Sequence, residues 1–360
     1  MIYLNIFLIC AVLVFLENVK GTSTMLRLLQ NLLVIFLMLF VGFRLVGPDY
    51  WTYRDMYKTV RIGNAASLES IIEPFFIYLM KFFTWMNADV SYYTFFVAAC
   101  SIGIKVRIIR EYSPYFYLSI LLALMNYIFA DMGQMRFMLA ISTTWLSIPY
   151  YENKQWWKFY LVIAIAASMH TSAWIFGVVF FIDRFNFKFA TMLTVWICCY
   201  GASYIADNTI VGSIIDDYAK DTMIDTKFDI YSTGARQYIG RVGYGMIGTA
   251  LKVFNLYLLS ASTMTDRRMH TFFYNSYFIG GCLFFFFGFN EIMSLRLSMY
   301  FFAMEVLFIP IILYYIKDKM TFWILLFVFV LKSWWQLDQI IYVKISSMWL
   351  PYSNYLERFI

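Results

Sequence analysis

"NLLVIFLMLFVGFRLVGPDYWTYRDMY", residues 31–57, decides the class of fold. Its first half is an almost unbroken apolar run. After Gly47-Pro48 it changes abruptly, placing Asp49, Arg54, Asp55 and three tyrosines where the run ends. The same texture recurs through a 360-residue chain that is 62% hydrophobic and only 14% charged, against about 25% charged in soluble domains. Mean hydropathy is +0.67. Run after run is long enough to cross a hydrocarbon core of about 30 Å as a helix. The runs are continuous rather than alternating, which excludes a barrel and leaves helices as the spanning element. The expectation is an all-α polytopic membrane protein with about 10–12 transmembrane helices, one polytopic domain over residues 1–360.

Spans are expected near 1–17, 26–46, 91–109, 113–131, 134–150, 189–206, 240–262, 271–289, 295–316 and 321–341. The first has no basic leader region or small-residue cleavage site and reads as a retained helix. Residues 72–87 start with Glu73-Pro74 and contain Lys81, which suits a short interfacial or half-inserted helix. Residues 157–182 are broken in the middle by "SMHTSA" (168–173). If neither of these two segments crosses, the clusters at Lys20/Arg27, Lys105/Arg107/Arg110, Lys154/Lys158, Arg184/Lys188, Arg267/Arg268 and Lys317/Lys319 share the cytoplasmic side. If both cross, Lys105–Arg110 and Lys154–Lys158 move outside. Either way the loops 47–71 and 207–239 face the extracytoplasmic side. The five cysteines lie in apolar segments without metal-ligand spacing and read as packing residues.

Familiar catalytic signatures are absent: the chain has no HExxH, CxxC, P-loop or Asp-x-Asp. A GxGxxG (Gly243, Gly245, Gly248) falls in an apolar run with no preceding strand, so it reads as close helix packing. Asp49 fits the first turn of a helix opening at Gly47-Pro48, which would be a structural role. Yet Asp49, Tyr53 and Tyr57 share one helical face, with Arg44 just inside the membrane edge. In "DMGQMRFMLA" (131–140), Asp131, Gln134 and Arg136 mark a turn on the outer side. A guanidinium there either snorkels or meets an anion such as phosphate. His170 is the one histidine inside an apolar run, in the polar break just described. Arg236 and Arg241 follow six aspartates in and after the loop 207–239, and Arg296 heads a span after Asn290 and Glu291.

The order of these elements resembles the EpsG-like branch of the Wzy-type O-antigen and exopolysaccharide polymerases. The residues carrying the likeness are "FRLVGPDYWTY" (43–53), Glu73-Pro74, "GQMRFMLAIS" (133–142), "NKQWWK" (153–158), "SMHTSAWIF" (168–176), "SLRLSMYF" (294–301) and "LPYSNYL" (350–356). The resemblance implies a GT-C-like glycosyl transfer, independent of metal or other cofactor, in a site formed by extracytoplasmic loops on the outer face of a bacterial inner membrane. A glycan on one polyprenyl diphosphate carrier is joined to a repeat unit on a second. Asp49 or His170 would serve as base and Arg136 would stabilise the departing diphosphate. Arg44, Tyr53, Gln134, Arg236, Arg241 and Arg296 would bind substrate. Membrane lipid, a chain-length regulator and a flippase are the expected partners, and nucleic acid is not. Two other readings stay open: a GT-C enzyme adding one sugar from a polyprenyl phosphate, and a lipid or glycan transporter. Paired repeats would favour the transporter, and none is evident.

Overall fold

The computed structural model describes residues 2–20, 24–69, 72–182, 185, 187–205, 245–339, 341 and 346–359. They form an all-α multi-pass membrane protein, and the one strand-like pairing among them is an isolated bridge between Arg44 and Asn354. By internal contacts the chain falls into two compact units, residues 1–66, 73–171 and 306–360 in the first and 67–72 and 172–305 in the second.

In the first unit, α1 (Ile2–Lys20) and α2 (Thr24–Gly42) are long apolar helices. They are followed by a short amphipathic α3 (Tyr50–Arg61) and by α4 (Pro74–Trp85). The central element is α5 (Val90–Tyr112), against which α2, α4, α6 (Phe116–Ala123) and α7 (Met135–Trp145) all pack. The unit continues through α8 (Ile148–Glu152) and α9 (Trp156–Met169). The second unit carries α10 (Phe189–Ala202), α11 (Met246–Ala261), α12 (Arg267–Phe286) and α13 (Glu291–Phe302). There α12 packs on α10, α11 and α13. The chain returns to the first unit along α14 (Glu305–Tyr315) and ends with α15 (Lys319–Leu337) and a C-terminal segment.

Among the described residues five helices are long and apolar enough to cross a membrane, or six when α13 and α14 count as one. The expected spans 189–206 and 240–262 reach outside the described residues, and other runs appear as shorter pieces through local breakage. The 113–131 run is α-helical to Ala123, passes through a π turn (Leu124–Ile128) and ends in a 3-10 turn (Phe129–Met132). The 157–182 run stops as α-helix at Met169, and Thr171–Phe180 continue as 3-10 helix. At 14 residues α9 is about 21 Å long, short of the ~30 Å hydrocarbon core. At 12 residues α4 is about 18 Å long, also short of that core. Of the glycine motif, Gly245 is the N-cap of α11 and Gly248 lies in that helix, while Gly243 lies outside the described residues.

Two readings of charge need correction. Lys105 is no loop cation: α5 runs on to Tyr112, so Lys105 lies inside the helix and is fully buried. Asp131 is no interfacial turn residue, because the π and 3-10 turns fold it against α5, also fully buried. Lys105 Nζ donates to Asp131 Oδ2 at 2.7 Å, to Ser101 Oγ at 3.0 Å and to the Tyr127 carbonyl. Ser101 in turn donates to Asp131 Oδ1 at 2.7 Å and meets Ser142 Oγ at 2.8 Å. A carboxylate and an ammonium so enclosed satisfy one another, which makes the pair a lock between α5, the 129–132 turn and α7. The cysteines also differ from expectation, since Cys10 is buried but Cys198 is exposed on α10.

Candidate functional site

The segment after α2 is built to hold one position. Gly42 packs so closely on α5 that a Cβ there would lie 2.8 Å from Phe95 Cα. Residues 43–47 then run beside the C-terminal segment: Leu45 N–H donates to Ser353 O at 2.9 Å, Tyr355 N–H to Phe43 O at 2.8 Å, and Gly47 N–H to Met348 O at 3.0 Å. Gly47 has φ +120°, and a Cβ would lie 2.4 Å from Met132 O, so this close crossing requires glycine. Pro48 lies against Gly133.

Arg44 is part of this frame. It is fully buried, its Nε donates to Met132 O at 2.6 Å and one terminal nitrogen donates to Val41 O at 3.1 Å. The other terminal nitrogen faces Met135 Sδ. The guanidinium expected to meet substrate at the membrane edge is therefore directed into the protein, where it fastens residues 41–47 to the 129–133 turn.

Clamped this way, the start of α3 stands beside the start of α7. The apolar stripe of α3 is Tyr50, Tyr53, Tyr57 and Val60, all buried. Helix α3 begins at Tyr50, later than Gly47-Pro48 suggests, so Asp49 is its N-cap residue. Its side chain nevertheless makes no capping hydrogen bond, so capping does not account for the half-buried carboxylate. Tyr53 lies under the guanidinium of Arg136, whose Cζ is 5.9 Å from the ring centroid. Burial pushes the Tyr53 phenol up, Arg136 draws it back and the Asp49 carboxylate raises it again. Because its pKa is above the ordinary tyrosine value of about 10, Tyr53 is a neutral phenol at pH 7.

Arg136 is the hub. One of its terminal nitrogens meets Glu73 Oε2 at 2.9 Å. Glu73 is the N-cap residue of α4, ahead of Pro74, and its carboxylate makes no cap hydrogen bond. The other carboxylate oxygen, Oε1, accepts from Thr171 N–H at 3.0 Å and Thr171 Oγ1 at 3.3 Å. Glu73 thus ties α4 and the break after α9 to α7. Arg136 keeps 18% side-chain exposure and its Nε has no hydrogen-bond partner. The hydroxyl of Tyr93, fully buried on α5, is also without one. Tyr93 is electrostatically coupled to Arg136 and Tyr53. An oriented cation is therefore accompanied by two unmet polar atoms, a setting suited to an anionic oxygen.

His170 is buried in extended backbone at the end of α9, its ring edge-on to Phe137 at 5.2 Å, directly between Met169 and the Thr171 that binds Glu73. Gln134 is the half-buried N-cap of α7, two residues before Arg136. In the first unit Arg136 thus joins Glu73 and Tyr53, Asp49 acts on Tyr53, His170 adjoins the Thr171 that binds Glu73, and Gln134 lies two residues before Arg136. Arg296 is on α13 in the second unit, and Arg236 and Arg241 lie outside the described residues. Sequence reasoning placed Glu73 in a motif but gave it no role. The available signal was a carboxylate directly before a helix-opening proline in an apolar run.

The EpsG family matches residues 27–354 of this chain. Searches of curated proteins and of solved structures found no match. Every residue of the Arg136 cluster falls inside the matched range.

Proposed function

The chain belongs to the EpsG family, and we propose from that premise that it is a repeat-unit polymerase of polysaccharide on carrier lipid. It takes a glycan from one polyprenyl diphosphate and joins it to a repeat unit on a second, at the outer face of a bacterial inner membrane. The observation that carries this reading is Arg136, a permanent cation oriented by Glu73 and Tyr53 with its Nε unpartnered.

In the reaction, the bond between the sugar's anomeric carbon and the diphosphate oxygen breaks. The acceptor hydroxyl oxygen forms the new bond to that carbon, and its proton passes to Asp49 or His170. Charge grows on the departing diphosphate, where a fixed guanidinium stabilises the transition state more than the ground state. Glu73 holds Arg136 in place, and Tyr53, a neutral phenol, offers a hydrogen bond to a phosphate or sugar oxygen. Gln134 adds an amide at the same end of α7. Arg44 belongs to the frame that positions these groups. Arg236, Arg241 and Arg296 are proposed as further contacts to the lipid-linked substrates.

The test replaces Arg136 with lysine, which keeps the charge but loses the fork that holds two phosphate oxygens. One charge-assisted hydrogen bond contributes about 1.5–3 kcal/mol, so transfer should slow roughly ten- to a hundredfold. Cells carrying Arg136→Lys at normal protein level should accumulate single repeat units on carrier lipid and lose long polymer. Full-length polymer from that variant would refute the diphosphate role.

A further inference from the structure

Beside α3, away from the Arg136–Glu73 pair, lies a cavity. It measures about 300 Å³ and its lining includes Arg54, Lys58, Arg61, Tyr50, Tyr57 and Tyr355. None of Asp49, Tyr53, Glu73, Arg136 or Thr171 lines it. We propose that it recognises a carboxylated sugar of the growing glycan. This rests on the polysaccharide reading above and names the class of sugar.

The placement follows from the helix. With Tyr50, Tyr53, Tyr57 and Val60 buried, positions 54, 58 and 61 fall on the adjoining face, one turn apart. Two of the three cations are held in position. The Arg54 guanidinium stands 4.8 Å over the Trp51 ring, and Arg61 donates to Asn87 Oδ1 at 2.6 Å. Tyr57 is fixed by donating to the Ala88 carbonyl at 2.9 Å.

The charge in the cavity is poorly offset. One carboxylate, Asp89, lines it beside the three cations, and its Oδ1 accepts from Ser91 N–H at the start of α5. Asp55 lies 3.5 Å from Lys58, but both side chains are largely exposed, and such surface pairs hold weakly. The N-terminus of α5, through Val90 and Ser91, adds its partial positive charge to the wall.

Shape favours a sugar acid over a bare phosphate. A volume of 300 Å³ is at the lower end of small-molecule sites, which run about 300–1,000 Å³. Tyrosine rings offer apolar faces to sugar C–H groups, and their hydroxyls offer hydrogen bonds. Guanidinium groups match the planar carboxylate at two oxygens. A headgroup phosphate would use the cations and leave the aromatic walls unused.

The test uses the full chain in nanodiscs of zwitterionic phosphatidylcholine. The probes are a tetrasaccharide of alternating glucuronate and N-acetylglucosamine, a neutral tetrasaccharide of N-acetylglucosamine, and inorganic diphosphate. Calorimetric titration should find the acidic sugar bound at least tenfold tighter than the neutral one. Arg54→Gln/Lys58→Gln/Arg61→Gln should weaken it at least tenfold, and Arg61→Gln alone should weaken it less. Arg136→Lys should leave this binding unchanged, so the proposal and the catalytic role of Arg136 stand or fall separately. Equal binding of neutral and acidic sugars, or an unaffected triple variant, would overturn the proposal. Diphosphate that binds with the same sensitivity while the acidic sugar does not would assign the cavity to phosphate and overturn it too. If the triple variant unfolds at lower temperature than the parent, the single variant decides by its own loss or retention of affinity.

Discussion

Glu73→Gln tests the geometry of the candidate site most directly. Glutamine keeps the shape and one carbonyl acceptor, so the hydrogen bond from Thr171 can persist, but the charge opposite Arg136 disappears. Removing one partner of a fully buried pair costs about 3–5 kcal/mol. Arg136 retains 18% exposure, so solvent reaches part of its charge and the loss should be smaller. An estimate of about 1.5–3 kcal/mol, the value of a hydrogen bond to a charged group, is appropriate. The expected results are a lower thermal unfolding temperature in lipid nanodiscs and a ten- to hundredfold drop in polymer per folded molecule. A double-mutant cycle with Arg136→Lys separates orientation from general support. If Glu73 acts by orienting Arg136, the combined loss should fall well short of the sum of the two single losses. Strictly additive losses, or a Glu73→Gln protein with parental stability and polymer, would refute the reasoning.

Other outcomes follow from individual contacts. Lys105→Met should destabilise the protein by about 3–5 kcal/mol by leaving Asp131 buried and unpaired, while Lys105→Met/Asp131→Leu should recover much of that; thermal unfolding of both variants checks it. Asp49→Asn should leave the start of α3 in place, since the carboxylate makes no cap hydrogen bond there. If Asp49 is the base, that variant should lose polymer while His170→Gln retains it, and the reverse result would assign the base to His170. Ile62→Cys in a cysteine-free background places a thiol at an 80%-exposed position just after α3. It should react with a membrane-impermeant maleimide in intact spheroplasts, and labelling only after lysis would overturn the outward placement of α3.

Composition and run length were enough to indicate an all-α membrane protein, because hydrocarbon leaves the backbone few alternatives. Breaks within runs were harder to see. "SMHTSA" announced its break through polar residues, but nothing in "LLALMNYIFADM" (121–132) announces a π turn, which arises from packing. Charge was legible as presence and not as depth. Lys105 reads as the first cation of a cytoplasmic cluster until α5 is seen to continue past it. Arg44 and Arg136 look alike in sequence, each an arginine at a membrane edge, yet one fastens backbone carbonyls and the other stands at the centre of a carboxylate–phenol cluster. Glu73 acquires meaning only through contacts 63 and 98 residues away. No local pattern records separations of that size.

The hydrogen bonds between residues 43–47 and 348–355 impose an order on biogenesis. Phe43, Leu45 and Gly47 leave the ribosome early and enter the membrane with α2, but their partners are made some 300 residues later. Tyr3 and Phe40 likewise wait for Trp349 and Tyr352. A chain still being translated can thus insert the early helices of the first unit while the link that carries Asp49 has no fastening on that side. Synthesis of residues 348–355 is then what fastens that link on the side away from the 129–133 turn.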